Sequence, residues 1–145
     1  MSELLPKEIK EAVEIDPNEG KFAKNPDRIA SAKYALGGLF NFLYHQDSAR
    51  FMVASTVVII LLALVLRVPR VEVLLLVLML GLWWVTELVN TALEAVVDMV
   101  TQEYHPLAKV AKDVASGATL FATVINVVII IGILAKPMLE FFDIL

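Results

Sequence analysis

Three long apolar runs dominate residues 51–135, and they constrain the fold more than any other feature of the sequence. A helix needs roughly 20 residues to cross about 30 Å of hydrocarbon. The first run, 51–66 with Val68, is only just long enough, and Arg67-Val68-Pro69-Arg70 breaks it. The second runs from about residue 71 to 100 and the third from about 114 to 135, where Lys136 and Pro137 end it. Overall 59% of the residues are hydrophobic, above the ~45–50% of a soluble domain, and the mean hydropathy is +0.75. A helix that is greasy all round is stable in lipid. The sequence therefore predicts an all-α membrane protein with spans near 50–67, 71–100 and 114–135.

The flanks differ. Residues 1–27 are polar and mostly acidic, with Pro6, Pro17 and Pro26, and read as a cytoplasmic leader. In about 28–48, Ile29, Leu36, Leu39, Phe40, Leu43 and Tyr44 recur at helical spacing among Arg28, Lys33 and Asn41. That pattern predicts an amphipathic helix lying in the membrane interface, with residues 28–145 forming one domain. No basic stretch leads into an apolar run with a small-residue cleavage site, so the first span is expected to be its own insertion signal. Seven of the Lys and Arg residues precede the first span, Lys109 and Lys112 lie between the second and third, and only Arg67, Arg70 and Lys136 lie opposite. The positive-inside rule then puts the N-terminus and the second loop in the cytoplasm and the C-terminus outside. A net charge of −4 argues against a nucleic-acid partner, and the absence of cysteine excludes thiolate chemistry.

The second run carries a contradiction that points to function. Glu87, Asn90, Glu94 and Asp98 fall within roughly an 80° arc of one helical face, whereas the other face is Leu, Val, Ala and Met. A charge at membrane depth costs about 2.5–3.5 kcal/mol even on lenient scales. Such a stripe has to be buried against protein, cations or water. After the connector Thr101-Gln102-Glu103-Tyr104-His105-Pro106, a second stripe follows: Lys109, Lys112, Asp113 and Ser116, beside the small residues Gly117 and Ala118. Carboxylates suit Mg²⁺ and lysines suit phosphate oxygens. The pairing fits a magnesium–nucleotide complex, whose transfer chemistry is mainly positioning and charge neutralisation. Glycine-rich phosphate loops are absent. His105 is read as a turn residue, Trp83, Trp84 and Tyr104 as packing or interface residues, and Asn126 as an interhelical hydrogen bonder.

These residues resemble the small prokaryotic diacylglycerol kinase family, which includes undecaprenol kinases. The resemblance rests on ELVNTALEAVVD at 87–98, EYH at 103–105 and AKD at 111–113, and extends more weakly over about 28–135. It implies an interfacial helix plus three spans in a homotrimeric bundle with sites shared between protomers, in the bacterial cytoplasmic membrane. It also implies MgATP as phosphoryl donor and a membrane lipid alcohol, diacylglycerol or undecaprenol, as acceptor. By position, Glu87 would be the general base, Glu94 would bind Mg²⁺, Asn90 and Asp98 would support nucleotide and metal, Lys112 would contact the phosphates, and Asp113 would orient the site. One departure stands out: where the family has a second metal-binding Glu, this chain has Gln46 followed by Asp47. The run Tyr104-His105-Pro106-Leu107-Ala108-Lys109 looks more like the undecaprenol kinase branch. Two rival readings remain at this point: a cation transporter or channel subunit using Glu87 and Glu94 as a relay, and a non-catalytic membrane assembly protein.

Overall fold

The computed structural model describes residues 28–142; the acidic leader lies outside them. The described chain forms four helices, α1 (Arg28–His45), α2 (Asp47–Val65), α3 (Arg70–Val100) and α4 (Pro106–Phe141). The last three are long and apolar enough to cross a membrane. Only 17%, 17% and 11% of their most apolar windows are buried within the chain. Most of their surface is thus left for lipid or other chains, as befits an integral membrane protein.

The described residues divide into two compact units, one up to Phe51 and the other from Met52. In the first, α1 and α2 are separated by a single non-helical residue, Gln46. Its N–H still bonds the Phe42 carbonyl at 3.0 Å, and its own carbonyl accepts from Ala49 N–H at 3.2 Å. Asp47 opens α2, where a carboxylate suits the positive end of the helix dipole. Arg50 sits 3.7 Å from Asp47 in an exposed pair. The amphipathic helix is thus shorter than its sequence pattern, ending at His45 rather than near residue 48.

In the second unit, α2 turns into α3 through a tight cap. Arg67 adopts a left-handed backbone with φ 54°. Its N–H bonds the Leu64 carbonyl at 3.2 Å, and Val68 N–H bonds that of Ala63 at 3.0 Å. These paired bonds close the end of α2 as a Schellman motif, with Arg where Gly is usual. The apolar contact of that motif joins the buried core: Ala63, Val68, Leu76 and Leu134, packed against Ile59, Leu66, Val73, Ile130 and Ile133. Pro69 then precedes α3, where its missing N–H is no loss.

α3 and α4 form the one extensive helix pair among the described residues. The third apolar run ends near residue 135, but α4 continues through Pro137 to Phe141. Pro137 removes one backbone bond only a turn from the helix end, where the loss is small, and Phe142 N–H closes the last turn on Met138. α4 also starts earlier than the apolar run. His105 Nδ1 accepts from Leu107 N–H at 3.3 Å, and Pro106 takes the first helical position. The expected turn residue is therefore a helix cap.

Candidate active site

The connector at residues 101–105 is short, so the end of α3 lies beside the start of α4. This hairpin brings the two polar stripes together. Lys112 Nζ donates to Asp98 Oδ1 at 2.6 Å, bridging α4 to α3. Lys109 pairs with Asp113 one turn along the same helix. All four side chains line a recess of about 300 Å³, together with Tyr104 and His105. Side-chain exposure runs from 37% for Lys112 to 60% for both aspartates, so the recess is open to solvent.

Farther down α3 the setting changes. Asn90 and Glu94, one turn apart, are half-buried, and Asn90 Nδ2 donates to Glu94 Oε1 at 3.1 Å. Asn90 Oδ1 is buried with no hydrogen-bond partner among the described residues. An orphaned amide oxygen beside a carboxylate is an oxygen donor set that fits a hard cation. Mg²⁺ uses only one or two carboxylates when phosphates complete its shell. Among the described residues no three Asp, Glu or His side chains are placed to hold a metal ion together. Glu87, seven residues below Glu94, is half-buried, and its carboxylate has no ion-pair or hydrogen-bond partner among the described residues. It lies about 16 Å along the helix axis from Asp98. Beside this stripe an apolar groove of about 520 Å³ runs between α3 and α4, lined by Val89, Leu93, Val114 and Ala118, with Asn90 and Thr86 as its polar members.

The structure thus joins Asp98, Lys112 and Asp113 around one recess and Asn90 to Glu94 below it. Glu87 stands on the same face of α3. Gln46 and Asp47 belong to the other compact unit, at the junction of α1 and α2. Gly117 faces open space, since a Cβ there would meet nothing within 4 Å. Its small size therefore serves no packing inside this chain.

Asn126 makes the interhelical bond expected of it, its Nδ2 donating to the Met79 carbonyl at 3.1 Å, but further cross-helix bonds are not legible in the sequence. Trp83 Nε1 donates to Thr123 Oγ1 at 2.9 Å, and Trp84 Nε1 to Thr56 Oγ1 at 3.0 Å. Thr119, Thr123 and Asn126 lie on one face of α4 at three- and four-residue spacing, which was the available signal.

The family model for prokaryotic diacylglycerol kinase matches residues 33–134. Over 116 residues the chain is 38% identical to a diacylglycerol kinase of Synechocystis, covering 79% of this chain and 66% of that protein, just under two thirds of its length. It is 38% identical over 115 residues to a diacylglycerol kinase of Pseudomonas aeruginosa, covering 78% and 94%. It is 32% identical over 96 residues to an undecaprenol kinase of Bacillus subtilis, covering 66% and 78%.

Proposed function

Because the chain belongs to the prokaryotic diacylglycerol kinase family, we propose that it moves the γ-phosphoryl group of MgATP onto the primary hydroxyl of a membrane lipid alcohol. The observation that carries this reading is the α3–α4 hairpin. It gathers lysines and carboxylates around one solvent-open recess and leaves acids without cations deeper on the same stripe. Phosphates belong in the recess, and an alcohol anchored by its lipid tail belongs below.

In this reading Lys112 swings from Asp98 to the nucleotide phosphates, and Asp98 supports the nucleotide by holding that lysine ready. Asp113 orients the recess through Lys109. Glu94 and the free oxygen of Asn90 would hold Mg²⁺, which when bound neutralises charge on the phosphates. At the family's second metal position this chain offers Gln46 and Asp47. Glu87 acts as general base: it takes the hydroxyl proton as the alcohol oxygen bonds to the γ-phosphorus and the bond from that phosphorus to ADP breaks. The apolar groove beside Asn90 gives the lipid chain a place to lie. The proposal extends to a homotrimer in the bacterial cytoplasmic membrane, with α1 in the interface and the recess facing the cytoplasm. Family membership weighs against the relay and assembly readings.

The test is transfer of labelled phosphate from ATP to diacylglycerol, undecaprenol and shorter prenols. Lipid-dependent transfer is expected, and Glu87→Gln should abolish it while ATP binding persists. No transfer to any of these alcohols, or full activity in the variant, would remove the assignment. Ion flux through liposomes without nucleotide would instead favour the relay.

A further inference from the structure

In lipid, apolar packing does not fix how far one helix slides past its neighbour. Lipid tails are as greasy as the Val and Leu side chains they replace, so register falls to hydrogen bonds and close packing. The α3–α4 pair carries such bonds as an ordered ladder. Asn126 Nδ2 donates to the Met79 carbonyl at 3.1 Å. Trp83 Nε1 donates to Thr123 Oγ1 at 2.9 Å. Thr119 Oγ1 donates to the Thr86 carbonyl at 3.5 Å. On α3 the rungs fall at 79, 83 and 86; on α4 they fall at 126, 123 and 119. Each helix advances by three or four residues per rung, in opposite directions, so all three lie on one antiparallel seam.

The middle rung is the most completely engaged. The Thr123 hydroxyl accepts from the indole and donates to the Thr119 carbonyl at 2.8 Å. Thr86 Oγ1 in turn donates to the Trp83 carbonyl at 2.8 Å. The ladder's last rung holds the peptide carbonyl that directly precedes Glu87.

We infer that Trp83 and Thr123 are positioning residues, whose hydrogen bond sets where Glu87 on α3 stands against Lys112 and Asp113 on α4. The inference rests on the kinase reading for what Glu87 does, but the register it describes is a property of the helix pair. Glu87 lies about 16 Å along α3 from Asp98, so with the seam broken a tilt of only about 4° about the recess would displace it by about 1 Å. Misplacing a reacting group by about 1 Å can reduce a rate a hundredfold. The short connector holds α3 and α4 together at the recess, so loss of the seam is felt at Glu87 far more than at Lys112 and Asp113.

Thr123→Val removes the hydroxyl at nearly constant shape, and Thr123→Ser keeps it. With kcat expressed per folded molecule, Thr123→Val and Trp83→Phe are expected to lose about ten- to a hundredfold in kcat. KM for MgATP should stay within about twofold of the parent value. Thr123→Ser should restore most of the rate. A second readout needs no activity. The chain has only two tryptophans, so its indole N–H groups can be followed individually by hydrogen exchange. Thr123→Val should unprotect the Trp83 indole and leave that of Trp84 protected. Unchanged kcat per folded molecule in Thr123→Val, or a Trp83 indole that stays protected, would overturn the inference. If the parent protein transfers no phosphate, the kinase reading fails by itself, and the exchange experiment decides the ladder.

Discussion

Lys112→Met tests the proposed hold on the nucleotide most directly. The Lys112 ammonium lies 2.6 Å from Asp98, with the two side chains 37% and 60% exposed. A pair this open to water contributes at most about 1 kcal/mol, because solvent and salt screen it. A hydrogen bond from the same ammonium to a phosphate is charge-assisted and contributes about 1.5–3 kcal/mol. Turning from aspartate to phosphate therefore gains roughly 1–2 kcal/mol net. Loss of the ammonium should raise KM for MgATP about 5- to 30-fold, read from initial rates over a MgATP titration at saturating lipid alcohol. Asp98 enters the same cycle. If it acts through Lys112, Asp98→Asn alone shifts KM by no more than about fivefold. In the Lys112→Met background it should then shift KM no further. An unchanged KM in Lys112→Met would refute the phosphate role. An Asp98 effect of equal size in both backgrounds would refute the tether and place Asp98 directly on the nucleotide.

Glu94→Gln keeps an oxygen for the Asn90 amide but loses the charge, so the Mg²⁺ concentration for half-maximal rate should rise about tenfold or more; an unmoved Mg²⁺ titration contradicts the metal role. Arg67→Gly relieves a left-handed backbone that costs an L-residue about 1–2 kcal/mol. After the greater flexibility of unfolded glycine is deducted, it should stabilise the protein by about 0.5–1 kcal/mol in reversible unfolding; lower stability would show that the Arg67 side chain does more than cap α2. Glu87→Gln should resist thermal unfolding better than the parent while losing transfer, since it neutralises a half-buried acid with no partner among the described residues. A destabilised variant would mean that the acid is ion-paired in the assembly.

The helices were legible because their signals are long. Unbroken apolar runs mark α2 to α4, and a polar face at helical spacing marks the stripe on α3. Their ends were harder to read. Pro137 looks like a stop, yet α4 passes through it, because a helix end is set by which bonds remain and not by one residue's propensity. The cap at Arg67 was invisible, since Gly is the usual marker of a left-handed residue. The stripe residues could be named from periodicity. Their pairing could not, because it depends on how two helices register: Lys112 reaches across to Asp98, while Lys109 stays with Asp113 on its own helix. The seam through Trp83 and Thr123 escaped for the same reason, because a threonine in a span reads as packing until the opposite helix is in place.

The distribution of partners along α3 carries the functional argument further than any single contact. At its solvent end the charges are neutralised within the chain, Asp98 by Lys112 and, beside it, Asp113 by Lys109. Deeper, the acids lack cations: Glu94 has only the Asn90 amide, and Glu87 has no partner among the described residues. A structural stripe would show the reverse gradient, since an unneutralised acid costs more with depth. Cations are therefore spent where water already screens charge and withheld where it does not. That order suits a site whose missing charges arrive from outside the chain, in a metal–nucleotide complex at the recess and a proton drawn from an alcohol below it. The exposed pairs near the surface are weak enough to exchange for phosphate. The deeper acids are costly to leave without a cation, a cost that a ligand, water or a neighbouring copy would offset.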